Sequence, residues 1–265
     1  MVKESTLIGP LQAGASRIFS EFGIPPEEVR TLVSAIWDTS HIDNIADFDR
    51  HLQQLLIGRL RQDKIRDLLD ARAAHVCRQI VPHLVGGSLL DVGAGDGMVA
   101  WNLRQFFKEH SLVDVIDYLD SRVQLPFTSY REGDPLPVSS PHDTAILINV
   151  LHHSDDPVNL LVETWKHTSQ HLIIIESVSG DPNRFGERDL PFCLDVDQQF
   201  QYTSFFDWFY NRVLHSDVPV PFNFAPPPVW ENLFAHHHMG LIYKQDLGID
   251  VEIVPIHHYL FVLSR

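Results

Sequence analysis

Residues 88–97 read SLLDVGAGDG, and MVAWNLRQFF follows them. Gly93, Gly95 and Gly97, with Ala94 among them, form a turn between an apolar run and a helix-like segment. Glycine permits positive φ and lets a ligand lie against the backbone. The acids beside the glycines define the ligand further. Asp91 and Asp96 would repel a pyrophosphate, and they suit an ammonium or a sulfonium. The dinucleotide fingerprint needs glycine at position 98, where the chain has Met98, and the Gly-Lys-Ser/Thr ending of a P-loop is absent. Asp117 stands twenty residues after Gly97, at the end of the next expected strand, where a carboxylate can accept both ribose hydroxyls. These residues describe a site for a nucleoside that carries positive charge.

His152 and His153 follow a third apolar run, at the mouth of the same expected site. Imidazole titrates near neutral pH, so either could act as a general base. Either could equally be held by backbone hydrogen bonds and only shape the pocket. The other histidines do not suggest a metal. His236, His237 and His238 are consecutive on an expected helix, so they point about 100° apart and cannot meet at one ion. His257 and His258 face opposite sides of an expected strand. No HExxH sequence occurs, and no metal is expected.

The elements that must position these residues fall into three stretches. Residues 1–85 read as helices. Val29, Leu32, Val33, Ile36 and Trp37 follow Pro25 and Pro26 at helical spacing. A second helical stretch begins after Asp43 or Asn44, with a break expected at Gly58. Residues 86–177 alternate strand and helix: strands over 89–92, 113–118, 144–150 and 171–177, and a helix that Asp156 caps and Pro157 opens. Apolar strands separated by helices imply a parallel sheet covered on both faces. Residues 178–228 form an insert rich in aromatics, including FFDWFYN at 205–211. It reads either as a cap over the site or as core packed on the N-terminal helices. A last helix, ended by Gly240, and two strands close the chain.

The chain has 265 residues and a net charge of −15. That charge argues against nucleic acid or an anionic membrane as partner. Only Cys77 and Cys193 occur, so there is no disulfide framework. No run is long enough to span a membrane, and the N-terminus lacks a signal-like stretch, so a cytoplasmic location is expected.

LLDVGAGDG resembles the first motif of the class I S-adenosylmethionine-dependent methyltransferases. The acid in VIDYLD, Asp117, matches the family's ribose acid. EGDPLP is similar to the segment whose acid approaches the adenine amino group, which implies Asp134. DTAILINVLHHSDDP resembles the fourth-strand motif and implies Asn149, Leu151 and His152 near the methionyl end. The likeness covers about residues 85–177 and 228–265, and FFDWFYN is similar to the FMDW.GN insert of bacterial methyltransferases of unassigned substrate. It implies a Rossmann-like, mostly parallel seven-stranded sheet with helices on both faces and an antiparallel last strand, carried on 86–265. It also implies S-adenosyl-L-methionine as cofactor and a small-molecule acceptor. The helical region 1–85 would serve as a lid or as a homodimer interface. Two other readings stay open: the cofactor steers some other reaction, or the chain is a binding or assembly module without catalysis.

Overall fold

The computed structural model describes residues 14–20, 22–37, 45–56, 58–179, 195–214, 218–249 and 256–265. The sheet is built around LLDV. It forms β1 (Ser88–Val92), which pairs in parallel with β2 (Glu109–Asp114) on one side and β4 (His142–Ile148) on the other. β3 (Phe127–Ser129) extends the β2 side. β5 (Thr168–Ser177) follows β4, and β7 (His257–Ser264) and β6 (Gly240–Ile249) complete the order β3-β2-β1-β4-β5-β7-β6. β7 is antiparallel to both of its neighbours, so six strands run one way and β7 the other.

Period-2 alternation sorts the apolar side chains onto two faces. Leu89, Ile146, Ile173 and Leu260 join one buried cluster, and Leu90, Ala145, Leu147 and Leu172 join the other. The first cluster is covered by α1 (14–20), α2 (Pro26–Trp37), α3 (Ile45–Leu56), α4 (Gln62–Ile80), α5 (Met98–Leu103) and α7 (Val196–Leu214). The second is covered by α6 (Pro157–Lys166) and α8 (Pro227–His236). Each fully buried Leu or Ile contributes roughly 1.5–3 kcal/mol, which explains why unbroken apolar runs such as LIII at 172–175 settle in the middle of the sheet.

Several local expectations hold. Asp156 caps α6 by accepting the Asn159 N–H at 3.0 Å, and Gly58, at φ 72°, separates α3 from α4. Asp43 and Asn44 lie outside the described residues. Other expectations are corrected. β2 ends at Asp114, and the expected strand over 113–118 overlaps it by two residues only, because pairing with β1 runs from Ser88↔Glu109 to Val92↔Val113. β4 starts two residues earlier than expected. The turn after α8 uses His238 at φ 55°, and Gly240 opens β6, where a Cβ would stand 2.8 Å from the Ser264 carbonyl oxygen. The aromatic stretch 205–211 lies in α7, where Phe19 meets Phe209 edge-on at 5.4 Å. No described helix is long and apolar enough to cross a membrane.

Candidate functional site

The strand order reverses between β2 and β4 about β1, and open α/β sheets bind ligands at such a point, beyond the carboxyl ends of the strands. A cavity of about 600 Å³ lies there. Its floor is the glycine turn. The Gly93 and Ala94 N–H groups donate to the Val113 carbonyl at 2.8 and 3.3 Å, and Gly97 N–H donates to Ala94 O at 2.8 Å. Gly93, Gly95 and Gly97 all have positive φ. A Cβ at Gly93 would stand 2.4 Å from Val150 Cγ2, while one at Gly95 would meet nothing within 4 Å. Gly93, Ala94 and Gly95 line the cavity. Gly97 does not; it caps α5 in the left-handed conformation and so sets the angle of the turn.

The acids surround that floor. Asp91 is buried on the cavity wall, with Oδ2 lacking a hydrogen-bond partner among the described residues. Burial, followed by the charges of Asp114 and Asp96, pushes it up to about 8. Asp96 lines the wall and accepts the Met98 N–H at 3.0 Å. Asp114, at the end of β2, accepts the Gly95 N–H at 2.7 Å and the Ile116 N–H at 3.0 Å, and burial raises it. It faces the cavity. Asp117 is exposed and off the cavity wall, because β2 ends three residues before it. Asp114, which lines the cavity, was not singled out in the sequence. Its signal was present in VDVIDY, but only the strand register distinguishes the two aspartates.

The end of β4 supplies the opposite wall. Asn149 takes φ 54°, unusual for a residue with a side chain, and its Oδ1 is buried without a partner among the described residues. Leu151 is buried behind the wall, where its N–H donates to Glu176 Oε2 at 2.9 Å. Asp134 is exposed on the cavity rim.

His152 and His153 both reach the cavity. His152 is buried, with Nδ1 against Glu176 Oε1 and Nε2 3.1 Å from Asp207 Oδ1. Burial favours its neutral ring, but the two carboxylates outweigh that and raise it to about 10. His153 donates from Nδ1 to the Pro219 carbonyl at 2.7 Å, and its Nε2 lies 3.6 Å from Asp207 Oδ1. Burial and the charge of His152 push it down to about 4. His258, from β7, lines the cavity with both ring nitrogens unpartnered among the described residues, and burial lowers it to about 3. The sequence reading also missed Glu176, Asp207 and Asn211. Asp207 and Asn211 stand one turn apart in the aromatic-rich stretch of α7, and both line the cavity.

The arrangement suits a polar, partly cationic ligand over the glycine turn, and the same cavity continues into an apolar chamber. That chamber is walled by Leu68, Leu69, Ala73 and Val76 of α4 and by Tyr210 of α7. The sequence of residues 57–213, more than half of the chain, matches a family described as a methyltransferase domain. No curated protein matches the chain. Among solved structures, an S-adenosylmethionine-dependent methyltransferase from Mesorhizobium loti shares 13% identity, covering 75% of this chain and 100% of that one, with a TM-score of 0.52. The magnesium protoporphyrin IX methyltransferase of Synechocystis PCC 6803, solved with S-adenosylhomocysteine, shares 13% identity over 84% of this chain and 95% of that one, with a TM-score of 0.48. The sheet order, the glycine turn and the matched residues agree: the chain belongs to the methyltransferase-domain family in its class I fold, whose methyl donor is S-adenosylmethionine.

Proposed function

We propose that this chain transfers the methyl group of S-adenosylmethionine to a small apolar or aromatic molecule, with oxygen as acceptor atom. The observation that carries the reading is the set of buried, unpartnered acceptors at the cavity, Asp91 Oδ2 and Asn149 Oδ1. A buried acceptor without a donor costs about 1–3 kcal/mol, and a ligand ammonium at the glycine turn supplies the donors. Gly93, Ala94 and Gly95 lie along the methionine part. Asp91 and Asn149 face its charged end. Asp114 takes the ribose hydroxyls in place of Asp117, since each of its oxygens keeps a second lone pair. Asp134 lies toward the adenine.

The sulfonium is already a good leaving group, so placing the acceptor in line supplies much of the rate. The apolar faces of α4 and α7 select the acceptor and keep water from it. The N-terminal helices thus act as a lid. A homodimer built on them would use their outward faces, and sedimentation reads that directly. We place the reaction in the cytoplasm. The test is incubation with S-adenosylmethionine and a panel of hydroxylated aromatic compounds, followed by mass spectrometry. Formation of S-adenosylhomocysteine together with a methylated panel member, lost in Asp114→Asn, supports the reading. Cofactor binding with no turnover across phenols, alcohols and carboxylic acids overturns oxygen as the acceptor.

A further inference from the structure

We propose that His152, His153 and Asp207 form a binding site for a divalent transition metal, with zinc the ion that best suits the ligand set. One ring nitrogen of His152, one of His153 and a carboxylate oxygen of Asp207 lie within 4.8 Å of one another. His152 Nδ1 faces the Glu176 carboxylate and His153 Nδ1 faces the Pro219 carbonyl, so each acceptor takes that nitrogen's proton. An entering ion displaces the proton that His152 Nε2 shares with Asp207, and both Nε2 atoms then face the Asp207 carboxylate with lone pairs.

The Asn211 amide is close, and its hydrogens are already used; the Arg72 charge also acts on Asp207. Asn211 Nδ2 has two hydrogens. It gives them to the Asp207 carbonyl at 2.8 Å and to Asp207 Oδ1 at 2.9 Å, leaving His153 Nε2 at 3.4 Å without one. Asp207 Oδ2 is buried with no partner among the described residues. Three ligand atoms thus converge in a buried place, where an ion would take over the role of the His152 proton.

The distances accommodate an ion. With bonds of about 2.0–2.1 Å, neighbouring ligands of a tetrahedral zinc lie about 3.4 Å apart. The two histidine-to-Asp207 separations are 3.1 and 3.6 Å; the second is too long for a hydrogen bond. A proton on His152 Nε2 would satisfy the first contact and leave the second unexplained. Glu176 behind His152 is the outer carboxylate that metal-bound histidines commonly engage, fixing tautomer and ring orientation. Two histidines and one carboxylate make a nitrogen-oxygen set typical of zinc and its first-row neighbours.

The fourth position opens to the cavity, since all three side chains line it. An acceptor oxygen there would lose its proton more readily. That last point rests on the methyl-transfer reading; the metal site does not.

The test uses metal-free full-length protein titrated with Zn²⁺ by calorimetry, and with Co²⁺ by visible absorption. One ion per chain, with the intense visible bands of four- or five-coordinate Co²⁺, is expected. His153→Gln should weaken binding at least a hundredfold while leaving thermal unfolding near wild type. Glu176→Gln, at one remove, should weaken it about 10–100-fold. Asp207→Asn serves as a second ligand variant. Absence of binding to wild-type protein overturns the proposal. So does binding that survives both His153→Gln and Asp207→Asn, or binding lost only on replacing His236 and His237. S-adenosylhomocysteine binding, read on the same samples, separates failure of the metal site from failure of the methyltransferase reading.

Discussion

Asp91 is 2% exposed, at the end of β1, and without ligand it is held up at about 8, mainly by burial. It therefore carries a proton at pH 7 in the ligand-free protein. An ammonium within about 4–6 Å favours the charged form, so a ligand bringing one should displace that proton. Each pH unit of displacement corresponds to about 1.4 kcal/mol. Binding of S-adenosylhomocysteine should then tighten about tenfold per pH unit from pH 6 to near pH 8, roughly a hundredfold in all. Above that the gain stops, as the ligand's own amino group begins to titrate. For the ligand-free fold the sign is opposite. A carboxylate pKa raised by folding gives stability that is complete below the unfolded value near 3.8 and is lost as pH rises toward 8. Asp91→Asn should abolish both slopes. Calorimetry in buffers of different ionisation enthalpy counts the released proton, and adenosine, which has no ammonium, is the control. Equal affinity at pH 6 and pH 8, with no proton released, refutes the assignment of Asp91 to the ligand's cation.

Other expectations follow from the same geometry. Asp114→Asn should weaken S-adenosylhomocysteine binding tenfold or more, about 1.4 kcal/mol, whereas Asp117→Asn should leave it within twofold, both read by calorimetry. Gly93→Ala, with its Cβ 2.4 Å from Val150 Cγ2, should lower stability and binding together. Gly95→Ala meets nothing within 4 Å, so it should cost about 1–2 kcal/mol of backbone strain and act mainly on binding; urea unfolding alongside titration separates the two. Phe206→Ala removes a fully buried ring from α7 and should cost about 3–5 kcal/mol in urea unfolding.

The glycine turn was legible in the sequence because its signals are local: a strand that ends in an acid, glycines with positive φ, and a helix after them. The two-faced sheet was legible because alternation along β1, β4, β5 and β7 sorts side chains into the two clusters. Asp114 was not, because the end of β2 is fixed by its pairing with β1 and β3, and no local pattern separates VDVIDY at 114 from 117. The cluster around His152 was hidden for a related reason. Asp207 is 55 positions away and Glu176 is 24 positions away. The polar pair Asp207 and Asn211 in an aromatic-rich stretch could have been singled out, but their histidine partners are set only by the packing of α7 against the turn after β4. The expectation that no metal binds was drawn from His236–His238 and from His257 and His258; it gave no weight to His152 and His153 as ligands. The helices before residue 85 were read as a separate lid or interface. α4 shares the core of the sheet and supplies cavity wall, a role that amphipathic spacing alone does not reveal.

The most direct test is titration of S-adenosylhomocysteine into ligand-free wild type, Asp114→Asn and Asp117→Asn. Micromolar binding to wild type, weakened at least tenfold by the change at 114 and left intact by the change at 117, is the predicted result. No binding to wild type, or a loss that follows Asp117 and spares Asp114, would contradict the site described here.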